Sequence, residues 1–179
     1  MHILGISGKR GVGKTALADH LVKTCGFVKV SFANELRRLS QELFPFNLKD
    51  LTDPKKKESP FGGYDWSPRE FMIHFGEFMR FHDANYWIKK AISGLDKPDS
   101  WYVFDDLRYE NEASTLKTTN SKIIRINRYE SQNPYGKNLN TPSETSLDTY
   151  KFDYVINDCN NQTLLMLQGH TKAIIELYK

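Results

Sequence analysis

Ile3-Leu4-Gly5-Ile6-Ser7-Gly8-Lys9-Arg10-Gly11-Val12-Gly13-Lys14-Thr15-Ala16-Leu17 is the stretch on which the reading of this chain turns. Ile3 to Ile6 is an apolar run of strand length, and Ala16, Leu17, Ala18, Leu21 and Val22 recur at a spacing that suits a helix. Between the two, Gly8-x-x-x-x-Gly13-Lys14-Thr15 has the full Walker A pattern, in the strand, turn and helix order that the pattern requires. Its glycines let the backbone wrap around phosphate oxygens, while successive N–H groups and the helix start favour negative charge. Lys14 is placed to reach the β- and γ-phosphates as a point charge, and Thr15 to set its hydroxyl on Mg2+. Gly8, Arg10, Gly11, Val12, Gly13, Lys14 and Thr15 are therefore the candidate ATP site. The side chains of Lys9 and Arg10 are open between donor phosphates and solvent.

Outward from this stretch, Phe27 to Phe32 reads as a second strand and Ala33 to Phe44 as a helix that Pro45 helps to end. A loop is expected from about Asn47 to Ser67, with Lys55, Lys56 and Lys57 as a solvated run. Ser67 would cap a helix from Pro68 to about His82, because Pro68 suits its first position and Glu70 stands three residues after the cap. A further helix starts at Asp83 or Asn85, reaches Ser93 and is stopped by Gly94. Trp101 to Phe104, Lys122 to Asn127 and Phe152 to Ile156 read as strands, with helices over Tyr109 to Thr119 and Thr163 to Tyr178. Strands without polar alternation, separated by helices, point to a five-stranded parallel sheet covered on both faces: the three-layer α/β sandwich of a P-loop NTPase. At 179 residues, one domain with a lid is expected.

Composition narrows the function classes. A formal net charge of +3 gives no broad basic track, so no nucleic-acid partner is expected. No apolar stretch reaches bilayer length, and the early glycine loop leaves too few apolar residues for a secretory signal. Cys25 and Cys159 have no metal-ligand spacing and read as free thiols of a reducing cytoplasm. Asp105 and Asp106 follow the Trp101 strand, so they would emerge at the carboxyl edge of the sheet where ligands collect. Their residue type leaves two roles open, a magnesium ligand and a helix cap.

Beyond the loop, three blocks carry a resemblance. They are Val30-Ser31-Phe32-Ala33-Asn34-Glu35-Leu36-Arg37, the run Arg69 to Arg80 continued by Asp83-x-x-Tyr86-Trp87, and Asp106-Leu107-Arg108-Tyr109-Glu110-Asn111-Glu112-Ala113. Together with Pro142-Ser143-Glu144 and Asp153-x-x-Ile156-Asn157, they resemble, in order, the deoxynucleoside monophosphate kinases known mainly from bacteriophages. This family is a branch of the nucleoside monophosphate kinase-like P-loop proteins. His74 stands where the family often has Gln, and Met72 where it often has Leu.

The resemblance implies transfer of the ATP γ-phosphoryl group to a deoxynucleoside monophosphate, giving the diphosphate and ADP in the cytoplasm of a host cell. It implies an acceptor region over about 32–95, a lid over about 128–149, and leaves room for a homodimer. Lys14, Arg80, Asp106 and Arg108 become the candidate catalytic residues, and Thr15, Asp105 and Asp106 the candidate magnesium ligands. Phe32, Ala33, Arg37, Arg69, His74, Phe75, Glu77, Arg80 and Arg108 become the acceptor set, since guanidinium groups hold two phosphate oxygens at once. Arg69 and Arg80 lie eleven residues apart, about three helical turns, so a straight helix keeps them off one phosphate. Phe75 reads first as a core residue, while His74 is equally open to a structural role and Glu77 to a salt bridge. Arg128 joins the donor phosphates or serves as a lid hinge, and Asn157 falls on the adenine side. The alternatives are another small-molecule P-loop kinase, such as a dephospho-CoA kinase, and a non-kinase ATP-binding switch.

Overall fold

The computed structural model describes residues 1–117, 121–128, 141–157 and 164–179. Along these the elements run β1 (His2–Ser7), α1 (Lys14–Cys25), β2 (Val28–Val30), α2 (Ala33–Leu43), α3 (Leu48–Thr52), α4 (Pro68–His82) and α5 (Tyr86–Ile92). They continue with β3 (Trp101–Leu107), α6 (Glu110–Lys117), β4 (Ser121–Asn127), α7 (Pro142–Thr145), β5 (Tyr154–Asn157) and α8 (Leu164–Glu176). None of the helices is long and apolar enough to cross a membrane, among the described residues. The chain divides into two compact units, Met1–Ser31 with Asp96–Lys179, and Phe32–Leu95.

The first unit holds the sheet. Its order is β2-β3-β1-β4-β5 and every pairing is parallel. β1 is therefore central, and the loop that follows it leaves the sheet between β3 and β4. Alternate residues face opposite layers, as the pleat demands. Leu4 and Ile6 join Val103, Ile124, Ile126 and Ile156 beneath Leu17, Ala18 and Leu21 of α1 and Ile174 of α8. On the other face, a Cβ at Gly5 would lie 2.9 Å from Ile123 Cδ1 and 3.3 Å from Leu116 Cδ1, so the missing side chain lets α6 approach the sheet. This is the three-layer α/β sandwich with a five-stranded parallel sheet.

The second unit packs α2, α4 and α5 around buried Trp87, whose indole N–H donates to the Gly76 carbonyl at 3.1 Å. Beside them Phe44 meets Phe71 at 4.7 Å, Phe46 meets Phe61 at 4.5 Å and Tyr64 stacks on Trp66 at 4.6 Å between ring centres. Aromatic pairs of this kind add to the burial that closes so small a unit.

Several expected boundaries are corrected. The loop expected from Asn47 to Ser67 contains α3 and a 3₁₀ turn at Lys56–Glu58. Asn47 Oδ1 accepts from the Asp50 N–H at 3.1 Å and Asp50 Oδ2 from the Asn47 N–H at 2.9 Å, a reciprocal cap that starts α3. The same device at Ser67 and Glu70 starts α4, as the spacing predicts. The second strand shortens to Val28–Val30, and Phe32 stands at the head of α2 instead. β3 runs on through Asp105 and Asp106 to Leu107 rather than ending before them. Gly5 pairs with Phe104 but Ser7 with Leu107, so β3 carries an extra residue here and the two carboxylates lie on a bulge. Most of the expected lid, residues 129–140, together with Cys159 and Thr163, lies outside the described residues.

Candidate functional site

The site is built on the loop between β1 and α1. Gly8, Gly11 and Gly13 have φ of 142°, 82° and 103°, a left-handed region that favours glycine. A Cβ at Gly8 would also fall 2.4 Å from the Ile126 carbonyl oxygen and 2.9 Å from Val12 Cγ2. Val12 is 3% exposed and turns its side chain into the core, anchoring the loop that Gly8 lets close.

Lys14 opens α1 and folds back over the loop. Its ammonium donates to the Gly8 carbonyl at 2.6 Å and the Lys9 carbonyl at 2.8 Å. The residue is 8% exposed. Burial, and after it the Arg108 guanidinium, push Lys14 from the ordinary 10.5 down to about 7, against the opposing charges of Glu144, Asp106 and Asp105. Thr15, next along the helix, is exposed.

Arg108 follows β3. Its backbone N–H and that of Tyr109 donate to the buried Glu112 carboxylate at 2.8 and 3.1 Å, which fixes the turn into α6. The Arg108 guanidinium donates to the Ser143 carbonyl at 3.1 Å and pairs with Glu144. Glu144 also accepts from the Arg10 N–H of the loop at 2.7 Å. Ser31 donates to Asp106 Oδ2 at 2.6 Å, steadying one carboxylate of the bulge. Arg108, Asp105 and Asp106 thus all lie close enough to Lys14 for their charges to act on it.

Thr15, Asp105 and Asp106 offer hydroxyl and carboxylate oxygens, the hard donors that Mg2+ takes. No group of three or more His, Cys, Asp or Glu side chains forms a cage for a metal ion among the described residues. Few protein ligands suit magnesium, which is held by one or two carboxylates together with phosphate oxygens.

Beside the loop lies a cavity of about 500 Å³, to which Lys9, Val12, Asn127, Arg128, Tyr150 and Phe152 contribute. Arg128 is thereby on the loop's side of the sheet, while the Asn157 side chain accepts from Asn127 at 2.9 Å at the ends of β5 and β4. Arg125 was not singled out from the sequence, where it sits between Ile124 and Ile126 and reads as strand interior. It bonds the Leu147 carbonyl at 3.0 Å and Asp148 at 2.6 Å and lies 5.5 Å from the Phe152 ring, so it ties the cavity wall to β4.

Of the expected acceptor residues, Arg108 belongs to the first unit and the others fall in the second. Phe32 is 3% exposed and Ala33 begins α2. Arg37 donates to Asn34 at 2.9 Å, Arg69 pairs with Glu58, and Arg80 lies 3.4 Å from Glu77. His74 and Glu77 are exposed on α4, whereas Phe75 is partly buried between Phe71 and Trp87. Arg69 and Arg80 occupy opposite ends of α4, as the helix length requires.

No family model matches the chain. Its sequence is 27% identical over 184 aligned residues to a protein of Acanthamoeba polyphaga mimivirus named "Putative deoxynucleotide monophosphate kinase", covering 92% of this chain and 91% of that one. Among solved structures, TT1252 from Thermus thermophilus aligns with a TM-score of 0.54 at 15% identity, over 99% of this chain and 97% of that one. A dephospho-CoA kinase from Campylobacter jejuni aligns at 0.50 and 15% identity, over 99% and 98% of the two chains. A shikimate kinase from Acinetobacter baumannii gives 0.50 at 14% identity, over 98% and 93%. With its sheet order and glycine loop, the chain has the nucleoside monophosphate kinase-like P-loop fold.

Proposed function

We propose that the protein is an ATP-dependent kinase that phosphorylates a deoxynucleoside monophosphate. The observation that carries this reading is the gathering of Lys14, Arg108, Asp105 and Asp106 at a glycine loop leaving the central strand. The mimivirus relative supports the choice of acceptor, because the likeness spans nearly the whole of both chains.

The reaction forms one P–O bond to an acceptor phosphate oxygen and breaks the bond between the γ-phosphorus and its bridging oxygen, leaving ADP. That acceptor oxygen is already anionic near neutral pH, so no strong general base is needed. Positioning and charge neutralisation supply the catalysis. Lys14 turns from the Gly8 and Lys9 carbonyls to the β- and γ-phosphates, and Arg108 neutralises the charge that spreads over the transferred group. Thr15 with Asp105 or Asp106 would hold Mg2+, which when bound withdraws charge from the phosphate oxygens. Asp106 is steadied for that by Ser31. Phe32, Ala33, Arg37, Arg69, His74, Phe75, Glu77, Arg80 and Arg108 form the proposed acceptor set. Gly8, Arg10, Gly11, Val12 and Gly13, with Arg128 and Asn157, form the proposed donor set.

Incubation with ATP and each of the four deoxynucleoside monophosphates, their ribose counterparts and dephospho-CoA tests the reading. A deoxynucleoside diphosphate and ADP are expected in equal amounts, and Lys14→Ala is expected to lower turnover by about 100-fold or more. Absence of any nucleoside diphosphate while ATP still binds would sink it. Product from dephospho-CoA alone would move the assignment to that acceptor.

A further inference from the structure

Two groups that would serve phosphate at a loop of this kind already meet a carboxylate, and a third feels its charge. Glu144 Oε2 accepts from the Arg10 N–H at 2.7 Å, Oε1 pairs with the Arg108 guanidinium, and the same charge acts on Lys14. The Glu144 side chain is only 8% exposed, so this is no loose surface pair. A carboxylate offers two oxygens and a negative charge, which matches two oxygens of a phosphate in both geometry and sign.

We propose that Glu144 is a stand-in for a nucleotide phosphate: it occupies the Arg10 amide and Arg108 until a nucleoside di- or triphosphate binds, and then exchanges places with it. The inference rests on the reading of the Gly8–Thr15 loop as a nucleotide site. One N–H cannot serve two anions, and two negative charges about 3 Å apart repel strongly where water is scarce. Either Glu144 moves or the phosphate stays out. The contact therefore lowers nucleotide affinity while keeping Arg108 at the loop, held through Ser143 as well. Glu144 is a positioning residue for Arg108 in the nucleotide-free protein and a competitor during binding.

Calorimetric titration of ADP and of inorganic pyrophosphate into wild type, Glu144→Gln and Glu144→Asp tests this. Gln keeps the shape without the charge, so both ligands are expected to bind it about tenfold more tightly than wild type. Asp keeps the charge and is expected to bind no more tightly than wild type. An unchanged or weaker affinity in Glu144→Gln, or an equal gain in Glu144→Asp, overturns the proposal while leaving the nucleotide site standing. If neither wild type nor variants take up ADP or pyrophosphate, the nucleotide site and this inference fall together. On wild type alone, saturation with pyrophosphate is expected to shift the Glu144 side-chain carboxyl resonance as the Arg108 pair breaks. A resonance that does not move overturns the exchange.

Discussion

The Lys14 ammonium sits where water scarcely reaches it, with a guanidinium for company and two backbone carbonyls as hydrogen-bond partners. Its proton affinity falls to about 7 in the folded protein against the ordinary 10.5. Between those values the unfolded chain holds a proton that the folded chain has released, so stability of the nucleotide-free protein rises with pH across that window. Below about 7 both states are charged and the burial penalty is constant. Urea denaturation from pH 7 to 10 should show this rise in wild type, and Lys14→Met should lose it. A slope that persists in Lys14→Met would assign the linkage to other groups. The loop around Lys14 was legible residue by residue because all its parts are adjacent in sequence. Gly8 shows the limit: the pattern calls for glycine, but only the sheet reveals that the Ile126 carbonyl lies where a Cβ would be.

At the scale of elements, the turn from β3 into α6 concentrates two roles in Glu112. Its buried carboxylate satisfies two of the N–H groups at this helix start and holds the Arg108 backbone in place. Glu112→Ala should cost about 2 kcal/mol in equilibrium unfolding, from lost capping and buried N–H groups left unpaired. Turnover should fall as well, since Arg108 loses its footing. Unchanged turnover with lowered stability would confine Glu112 to a capping role. A helix start with a strong local signal is legible in the sequence, as Ser67, Pro68 and Glu70 illustrate for α4, whereas the ends of β2 and β3 are not. The α3 cap carries the same kind of signal, Asn47 with Asp50, but the lysines and prolines after it dominate the reading of that stretch. The bulge at Asp105 and Asp106 has no local signal at all. It arises from register against β1, which is set by residues about 100 positions away.

For the whole molecule, the same distinction decides which parts of the site were visible. The glycine loop is contiguous, whereas Arg108 and Glu144 are 36 residues apart and their pairing depends on the fold. The second unit, Phe32–Leu95, has its own buried centre at Trp87. Trp87→Ala should therefore remove about 3–5 kcal/mol of packing from that unit. Native-state hydrogen exchange is expected to show faster exchange in α2, α4 and α5, with β1, β3 and β4 keeping their protection. Equal acceleration in the sheet would show that the two units open together.

The sheet order also has a consequence during synthesis. β1 is made first, but its neighbours are β3, where His2 pairs with Trp101, and β4, where Ile3 pairs with Ser121. At roughly 5–20 residues per second, the nascent chain carries an unpaired apolar strand for about 5–20 s before either neighbour leaves the ribosome. During that interval the residues destined for the centre of the protein are the ones most open to capture by a chaperone.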